Sequence, residues 1–427
     1  MQTQQYLIVF LFSIGMVSCK NEVKKSQQIQ LTNTSEYELK DKSISVKRSL
    51  LVANDGVAKH LVILLGKDTI PSQTNDLDGD GKWDELFFVT DFRAGESKSV
   101  TLGWTDEAIE YPNRTSARFG KRASSDAKVE PVLEETMMAD ELPLSLGYQQ
   151  YQTDGPSWEN NKVGFRHYLD GRNAKDLFGK KTSEISPENV GINSKGAVED
   201  NYHTMEDWGR DILAVGNSVG LGGYALATED ALMRLGVTVE DSINNVEKTT
   251  FKIVAEGPVN SVLEYTFENW KPNDRTYTVH ETTSIWPGMY GYQNTVSFSG
   301  LQGNEHLVIG LVSINNNKPL EIDEENEEYV VLFTHDKQSY EKEWWLGMAL
   351  ILPKDHYFGY MDAPETGNLS NTYLAQMKIR NNEPVHYYAV GAWELSDKKF
   401  IDKAYFKSYV TDLANQLSAK IDIKINH

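Results

Sequence analysis

Cysteine is nearly absent from this chain, whose 427 residues include a single one, Cys19. A chain with one cysteine forms no internal disulfide, so its stability must come from a hydrophobic core. The hydrophobic content of 40% is sufficient for a large core. The length favours two domains, or one extended β domain with a smaller partner.

Long apolar runs are also missing. The segment 6–17, about a dozen residues, is too short to span a bilayer but suits the apolar part of a signal peptide. Ser18 and Cys19 follow it, and this junction resembles the lipobox of bacterial lipoproteins, although Met16 stands where leucine is usual. We predict an exported protein that is lipidated at Cys19 and held by this lipid alone at the outer membrane, on its periplasmic side or at the cell surface. The predicted segments are a signal peptide (1–19) and a polar tether (20–30); a plain secretory signal is the alternative.

Positive charge is scarce, and the net charge is −20. Such a chain is not expected to bind nucleic acid, because phosphates need a basic surface. A basic island from Lys162 to Lys181 is the exception, with a local balance of +4. The island favours a site for a small anion, such as a carboxylate or a sulfate. A solvated strand edge whose lysines discourage aggregation is the alternative.

Helical periodicity is rare, whereas short apolar or alternating runs bounded by Gly, Asp and Asn recur along the chain. This pattern predicts an all-β protein with few helices. A small N-terminal β-sandwich is expected over residues 31–110, followed by a large antiparallel β-sandwich or supersandwich over residues 111–427 that carries the catalytic site. A closing strand is expected at 421–425. The helix predicted before it has an apolar face formed by Phe406, Val410, Leu413 and Leu417.

An Asp-rich loop in the first domain is a candidate metal site. Carboxylates occupy loop positions 1, 3, 5 and 9, with glycine at position 6, which is the spacing that Ca²⁺ ligation by hard oxygens requires. Phe87 at position 12 replaces the bidentate glutamate, which excludes an EF-hand. We predict structural calcium, with an Asp/Gly-rich hairpin as the alternative, and no cofactor for catalysis. The predicted ligands are Asp76, Asp78, Asp80 and Asp84.

Several catalytic motifs are absent from the sequence, namely the GxSxG elbow, HExxH and the Walker loop. Chemically versatile residues concentrate instead in the middle of the chain. The sequence reads GFRHYLDGRNAKDLFGK at 164–180, YHTMEDWGRD at 202–211 and GNSVGLGG at 216–223. Loops rich in His, Arg, Asp and Gly on a rigid β scaffold are where functional sites usually form.

These segments resemble a family of exported proteins from polysaccharide-degrading bacteria, long catalogued as a domain of unknown function. The patterns F-R-x-Y-x-D-x-R-N-A-x-D-x-x-G-K and Y-H-x-M-x-D-W-G-x-D-I-L-x-V-G-N-S carry the resemblance. Some members are oligosaccharide dehydratases that act on ulvan, an algal polymer of sulfated rhamnose and uronic acid. The resemblance implies removal of water from a non-reducing-end uronate, giving a 4,5-unsaturated sugar. It also implies a sulfated, uronate-containing oligosaccharide as the partner.

Elimination of water from a uronate needs a base for the C5 proton, a cation or donor at the carboxylate, and an acid for the departing 4-hydroxyl. His203 is the first candidate for base or acid, because histidine titrates near neutral pH. Arg166 or Arg210 is the candidate clamp for the carboxylate. The alternative for each arginine is a structural ion pair, for instance with Asp170 or Asp207.

The complementary proton is assigned to a tyrosine, either Tyr202 or the pair Tyr290 and Tyr292 beside a Pro-Gly turn. His280 is the second histidine candidate. His167 ranks lower, because strand alternation turns it away from its neighbours at 166 and 168. Further substrate contacts are predicted from Tyr168, Arg172, Asn173, Trp208, Tyr290 and Tyr292.

Other functions use the same residues differently. A polysaccharide lyase would expel a glycosidic oxygen by the same base chemistry. A non-catalytic glycan-binding lipoprotein would use the aromatic residues as a platform and the arginines as carboxylate contacts. The 62 acidic residues also leave a glycoside hydrolase with paired carboxylates as an alternative.

Overall fold

The computed structural model of this chain describes residues 26–51, 60–143 and 149–426. The signal peptide, Cys19 and residues 20–25 of the tether fall outside these ranges, so the predictions for them stay predictions. The all-β prediction is confirmed, because the described residues form antiparallel sheets and one α-helix. Within those ranges, no helix has both the length and the apolar character needed to cross a membrane.

The strands follow one another along the chain with short connections. The first fifteen are β1 (Ser26–Asn33), β2 (Leu39–Lys47), β3 (His60–Leu65), β4 (Asp68–Ile70), β5 (Ser72–Asn75), β6 (Glu85–Phe92), β7 (Ser97–Thr105), β8 (Thr115–Arg118), β9 (Gly120–Arg122), β10 (Val129–Pro131), β11 (Glu134–Met138), β12 (Ser157–Asn160), β13 (Val163–His167), β14 (Lys175–Lys180) and β15 (Gly209–Asp211).

The later strands are β16 (Leu221–Ala227), β17 (Leu232–Arg234), β18 (Val246–Glu256), β19 (Ser261–Trp270), β20 (Tyr277–Ile285), β21 (Gly291–Ser299), β22 (His306–Val312), β23 (Glu321–Asp323), β24 (Tyr329–Asp336), β25 (Leu346–Pro353), β26 (Tyr357–Asp362), β27 (Thr372–Met377), β28 (Val385–Trp393) and β29 (Ile421–Asn426). The helices are α1 (Lys403–Ser418) and five 3-10 turns, Arg48–Leu50, Gln152–Asp154, Asn201–His203, Tyr340–Lys342 and Lys398–Ile401.

A small sandwich pairs a five-stranded sheet, β29-β1-β7-β3-β4, with a three-stranded sheet, β2-β6-β5. Because side chains alternate along a strand, every second residue enters its core, as Ile29 and Leu31 do from β1 and Leu86 and Phe88 from β6. The Asp-rich loop connects β5 to β6 at one end of the smaller sheet.

Two predicted boundaries need correction. Residues 26–30, assigned to the tether, form the first half of β1, because Ile29 and Leu31 alternate into the core. The closing strand, assigned to the large domain, pairs antiparallel with β1 and completes the small sandwich. Both ends of the described chain therefore meet in one sheet.

The large domain is built from three main sheets around one core. A nine-stranded sheet has the order β11-β18-β19-β20-β21-β28-β25-β24-β23, and two five-stranded sheets have the orders β15-β14-β13-β12-β8 and β17-β16-β22-β27-β26. Phe165 of β13, Leu263 of β19 and Leu307 of β22 are fully buried in the same cluster, which joins the three sheets. The strands β13, β14 and β15 hold the segments that the sequence singled out.

The predicted C-terminal helix is present as α1, which packs beside β24 and β25. Phe406 and Val410 are fully buried, as the apolar stripe predicted. The side chain of Asp402 caps the helix by accepting a hydrogen bond from the backbone N–H of Ala404 at 2.8 Å.

Candidate active site

Arg166 lies at the centre of a buried charge cluster. It stands on β13 directly opposite Asp176 on β14. Its guanidinium donates to Asp176 Oδ2 from Nε at 2.9 Å and from Nη2 at 2.6 Å, and to Asp211 Oδ2 at 2.8 Å. Asp170, the partner suggested by the sequence, lies in the turn between the strands and pairs with Arg172 instead. The strand register, which sequence spacing does not reveal, selects the partners of Arg166.

His203 lies at the edge of this cluster, at the end of the 3-10 turn Asn201–His203. Its Nδ1 is 3.5 Å from Asp211 Oδ2, and its side chain is 42% exposed. Partial burial and, secondly, the charge of Arg166 lower the pKa of His203 below its ordinary value of 6.5. At neutral pH the imidazole is therefore an uncharged and accessible base.

Asp211 connects His203 to Arg166. Its Oδ1 accepts a hydrogen bond from the backbone N–H of Leu213 at 3.1 Å, which fixes the carboxylate. Burial and the nearby charge of Asp176 raise the pKa of Asp211 to about 8, and Arg166 opposes this rise. The charges of Asp200 and Asp176 favour a cation on His203 once the imidazole has accepted a proton.

Tyr202 lies behind His203, with the two ring centroids 4.7 Å apart. The tyrosine is 1% exposed, and its single O–H lies within hydrogen-bond distance of two acceptors, Asp200 at 2.9 Å and Asp154 at 3.2 Å. Burial raises the pKa of Tyr202 above its ordinary value. The phenol is thus shielded from the surface at which His203 is exposed.

Tyr168 and Arg172 support the same cluster from the next turn. The ring of Tyr168 lies between two guanidiniums, with its centroid 4.4 Å from Cζ of Arg166 and 3.6 Å from Cζ of Arg172. Its hydroxyl donates to Asp176 at 2.7 Å. Both residues, predicted as substrate contacts, are engaged by neighbouring side chains.

Arg210 is buried near His203, with its side chain 9% exposed. Its Nη1 is 3.6 Å from the carboxylate of Glu343, which is 44% exposed, so its partner differs from the Asp207 that the sequence suggested. The guanidinium also lies 5.7 Å from the ring centroids of Tyr340 and Trp344. A single exposed carboxylate is a partner that a substrate carboxylate can displace.

Tyr340 was not identified from the sequence. It is 37% exposed, and its ring lies 5.9 Å from that of His203 in a near-parallel arrangement. The backbone N–H of Tyr340 donates to the carbonyl of Ile212 at 2.6 Å, which fastens this distant turn beside Asp211. No local motif marks the turn.

Four predicted site residues lie away from His203, and a fifth is packed inside an aromatic cluster. Tyr290 packs beside the C-terminal helix, and Tyr292 is fully buried with its hydroxyl bonded to a backbone carbonyl. His280 is exposed on the outer face of the nine-stranded sheet, because the next residue of β20 faces the core. Asn173 is buried beside an interior histidine. Trp208 packs edge-on against Phe178, with ring centroids 6.0 Å apart, in a small buried cluster that also contains Tyr202.

A second buried polar network, also not predicted, fills the interior between the sheets. Lys175 and Glu281 form a fully buried ion pair, and the hydroxyl of Tyr224 donates to Glu281 at 2.7 Å. Nδ1 of His167 is 3.4 Å from Nζ of Lys175. Burial and the charge of Lys175 lower the pKa of His167 to about 4. As strand alternation indicated, His167 points away from Arg166 and His203.

The basic island is neutralised inside the fold. Buried cations must be paired, and four of the six basic residues bind carboxylates. These pairs are Arg166 with Asp176, Arg172 with Asp170, Lys175 with Glu281 and Lys180 with Glu159. The island is therefore neither an open anion patch nor a solvated strand edge.

A cavity of about 130 Å³ lies behind Tyr202. Both carboxylates that accept from the Tyr202 hydroxyl belong to its wall. The polar residues of the wall are Gln149, Gln150, Asp154, Asp170, Arg172 and Asp200.

The Asp-rich loop brings together three of the four predicted metal ligands. Carboxylate oxygens of Asp76, Asp78 and Asp84 lie within 4.8 Å of one another. Asp80 is turned aside and pairs with Lys82 at 3.2 Å. Three converging carboxylates are the oxygen donors that Ca²⁺ prefers. Structural calcium stays a prediction, with Asp76, Asp78 and Asp84 as its ligands.

Calcium is expected to raise the melting temperature of the protein, and a chelator to reverse the rise, because a ligand that binds only the native state stabilises it. Asp78→Asn should reduce this response, whereas Asp80→Asn should retain it, because Asp80 lies outside the converging group. Thermal unfolding with and without Ca²⁺ measures both. The same melting temperature for the wild type in Ca²⁺ and in chelator would contradict the site.

Comparisons with known proteins give the following similarities. A family model described as "Domain of unknown function (DUF4861)" matches residues 31–423. "Uncharacterized protein P7" of Formosa agariphila is 27% identical over 294 residues, which cover 64% of this chain and 68% of that protein.

Two solved structures from Enterococcus faecalis also match. One is a protein in glycosyl hydrolase family 38, with a TM-score of 0.47 and 10% identity, and the match covers 94% of this chain and 47% of that one. The other is an alpha-mannosidase of strain V583, with a TM-score of 0.48 and 10% identity, and the match covers 94% of this chain and 46% of that one. The chain spans about half the length of each.

Proposed function

This chain belongs to the DUF4861 family of domains of unknown function, and we propose that it is an enzyme that removes water from the terminal uronate of an acidic oligosaccharide by β-elimination. The observation that carries the proposal is the accessible imidazole of His203, supported by the buried Asp211–Arg166 pair. The sulfated rhamnose and uronate chains of ulvan are the substrate class that the family resemblance implies.

His203 acts as the base in this proposal. Its lowered pKa keeps the imidazole uncharged near pH 7, so it is able to accept the C5 proton. With Nδ1 directed to Asp211, the other ring nitrogen, Nε2, is the one that receives the proton. The negative charges of Asp200 and Asp176 then stabilise the imidazolium, and Asp211 orients the ring through Nδ1.

Arg210 holds the substrate carboxylate, and Tyr340 protonates the departing 4-hydroxyl. Neutralising the carboxylate makes the C5 proton more acidic, which the elimination requires. Tyr340 suits the role of acid better than Tyr202, because its phenol is partly exposed beside His203. Arg166 is a positioning residue in this mechanism, since its guanidinium is 1% exposed. The reaction breaks the C5–H and C4–O bonds, forms the C4=C5 double bond and releases one water.

Mass spectrometry of uronate-terminated oligosaccharides incubated with the mature protein tests the proposal. Loss of one water without chain cleavage is the expected result. Shorter products with an unsaturated end would favour a polysaccharide lyase instead. Unchanged substrates with measurable affinity would favour the glycan-binding lipoprotein.

Replacing Arg210 with methionine is expected to raise KM by about 10–100-fold, the effect of losing a hydrogen bond between charged groups. Glu343→Gln is the matched control, because it removes the carboxylate that competes with the substrate. Its KM should be unchanged or lower. Steady-state kinetics of the two variants distinguish the two roles of Arg210. If Arg210 only forms a structural ion pair with Glu343, the two substitutions should change KM equally.

Activity is expected to fall in acid with a midpoint below pH 6.5. The base works only when uncharged, and burial together with Arg166 lowers the pKa of His203. Activity is therefore retained above the lowered pKa and lost as the pH falls through it. A pH profile of kcat/KM measures this, and an acid limb centred above pH 6.5 would contradict His203 as the base.

A further inference from the structure

The cavity behind Tyr202 is rich in hydrogen-bond acceptors that its own wall uses only in part. Gln149 donates to Asp200 Oδ1 at 2.9 Å, and Arg172 lies 2.7 Å from Asp170. An ionised carboxylate offers about four lone-pair sites, so each carboxylate keeps capacity for further donors. A ligand that brings several donors would complete this wall.

The carboxylates of the cavity are spread around it rather than gathered at one point. Within residues 26–51, 60–143 and 149–426, three or more acidic, histidine or cysteine side chains come close enough to share a metal ion at Asp76, Asp78 and Asp84. The carboxylates of the cavity do not form such a group. The spread of Asp154, Asp170 and Asp200 does not suit a single metal ion. Donors that point in several directions, such as the hydroxyls of a sugar ring, match it.

Negative charge on a ligand is disfavoured here. Three carboxylates face one guanidinium, and that guanidinium is already paired with Asp170. Burial raises the pKa of Asp154, and the charges of Asp170 and Asp200 act in the same direction, although Arg166 opposes them. A sulfate in the cavity would be repelled by these carboxylates. The nearby buried cations of the basic island cannot offset this repulsion, because they are already paired with other carboxylates.

The dimensions suit one sugar ring. A volume of about 130 Å³ is below the roughly 300–1,000 Å³ of pockets for larger ligands, so an extended chain does not fit. The hydroxyl of Tyr202 contacts Asp154 and Asp200 of the wall, and its ring centroid lies 4.7 Å from that of His203. A sugar in the cavity would thus be close to one bound at His203.

We propose that this cavity is a subsite for an uncharged sugar ring, bound through its hydroxyl groups, next to the uronate that reacts at His203. The subsite rests on the proposed function for the identity of that uronate. It extends the proposed function, because the cavity recognises the hydroxyl groups of the sugar and not a sulfate. A sulfated ring therefore binds only with its sulfate in solvent, and the sulfate adds no affinity.

Calorimetric titration of a sulfated, uronate-terminated oligosaccharide and of its chemically desulfated form tests the subsite. The desulfated compound should bind at least as tightly. Asp170→Asn should weaken binding of both compounds about tenfold, because a hydrogen bond to a charged acceptor is lost. Gln149→Ala, at the margin of the cavity, should also weaken binding and disturbs the fold less. Asp230→Asn, at an exposed position elsewhere, is the matched control and should bind as the wild type does.

Two results would overturn the subsite. One is a tenfold or greater loss of affinity when the oligosaccharide is desulfated, which would mean that a cationic site binds the sulfate. The other is wild-type affinity in both Asp170→Asn and Gln149→Ala. If binding follows the expected pattern while no water is lost from the same compounds, the subsite is supported and the proposed dehydration alone fails.

Discussion

Replacing His203 with alanine is expected to lower kcat for water loss by about 10²–10⁴-fold, the usual contribution of a positioned general acid or base. The imidazole is uncharged at neutral pH and 42% exposed, so it is able to reach the C5 proton. The truncation removes a half-exposed side chain and leaves the Asp211–Arg166 pair intact, so the native fold should persist. Ultraviolet absorbance of the new double bond, together with mass spectrometry, measures the rate.

His280→Ala is the matched control for this experiment. Both histidines were candidates from the sequence, but His280 is exposed on the outer face of the nine-stranded sheet, 3.3 Å from Thr266. Its removal should leave kcat unchanged, because surface substitutions away from a site rarely matter. Equal losses in both variants would point to a general effect on the protein. Full activity of His203→Ala would mean that His203 has a structural role and that another residue is the catalytic base.

The fold class was predictable because hydrophobic alternation is a local signal. The tether boundary was not, because glutamines interrupt the start of β1 and leave Ile29 and Leu31 as its only apolar markers. The position of β29 was also hidden. Its alternating isoleucines predict a strand. Its pairing with β1 joins opposite ends of the chain, and a local sequence pattern does not indicate such a long-range contact.

The candidate site was predictable where its residues share one segment. The composition of the sequence singled out Arg166, Tyr202, His203 and Arg210, and the structure places them close together near the β15 edge of the sheet that contains β13. The partners of Arg166 depend on the register between β13 and β14 and on the path to β15, so Asp176 and Asp211 were not assigned. Tyr340 comes from a distant turn, which sequence spacing cannot connect to His203.

Replacing Arg166 with methionine is expected to lower the free energy of unfolding by about 3–5 kcal/mol, the cost of removing one partner from a buried ion pair. Methionine fills a similar volume, but Asp176 and Asp211 are then buried without their shared cation. Arg380→Met is the matched control, because Arg380 is 80% exposed and pairs with an exposed glutamate, so it should cost about 0–1 kcal/mol. Urea unfolding measures both variants.

The dependence of this loss on pH distinguishes unpaired charge from poor packing. The pKa of Asp211 is already raised to about 8, and loss of Arg166, which opposes that rise, raises it further. A carboxyl whose pKa is higher in the folded state takes up its proton more readily there than in the unfolded chain, so the stability of Arg166→Met should increase as the pH falls from 8 to 5. The wild type gains stability in the same way as the pH falls below 8, so the deficit of the variant should be constant there. The deficit should grow as the pH rises above 8, where Asp211 ionises in the wild type but stays protonated in the variant. A deficit that does not grow above pH 8 would mean that lost packing, and not an unpaired charge at Asp211 beneath His203, causes the destabilisation.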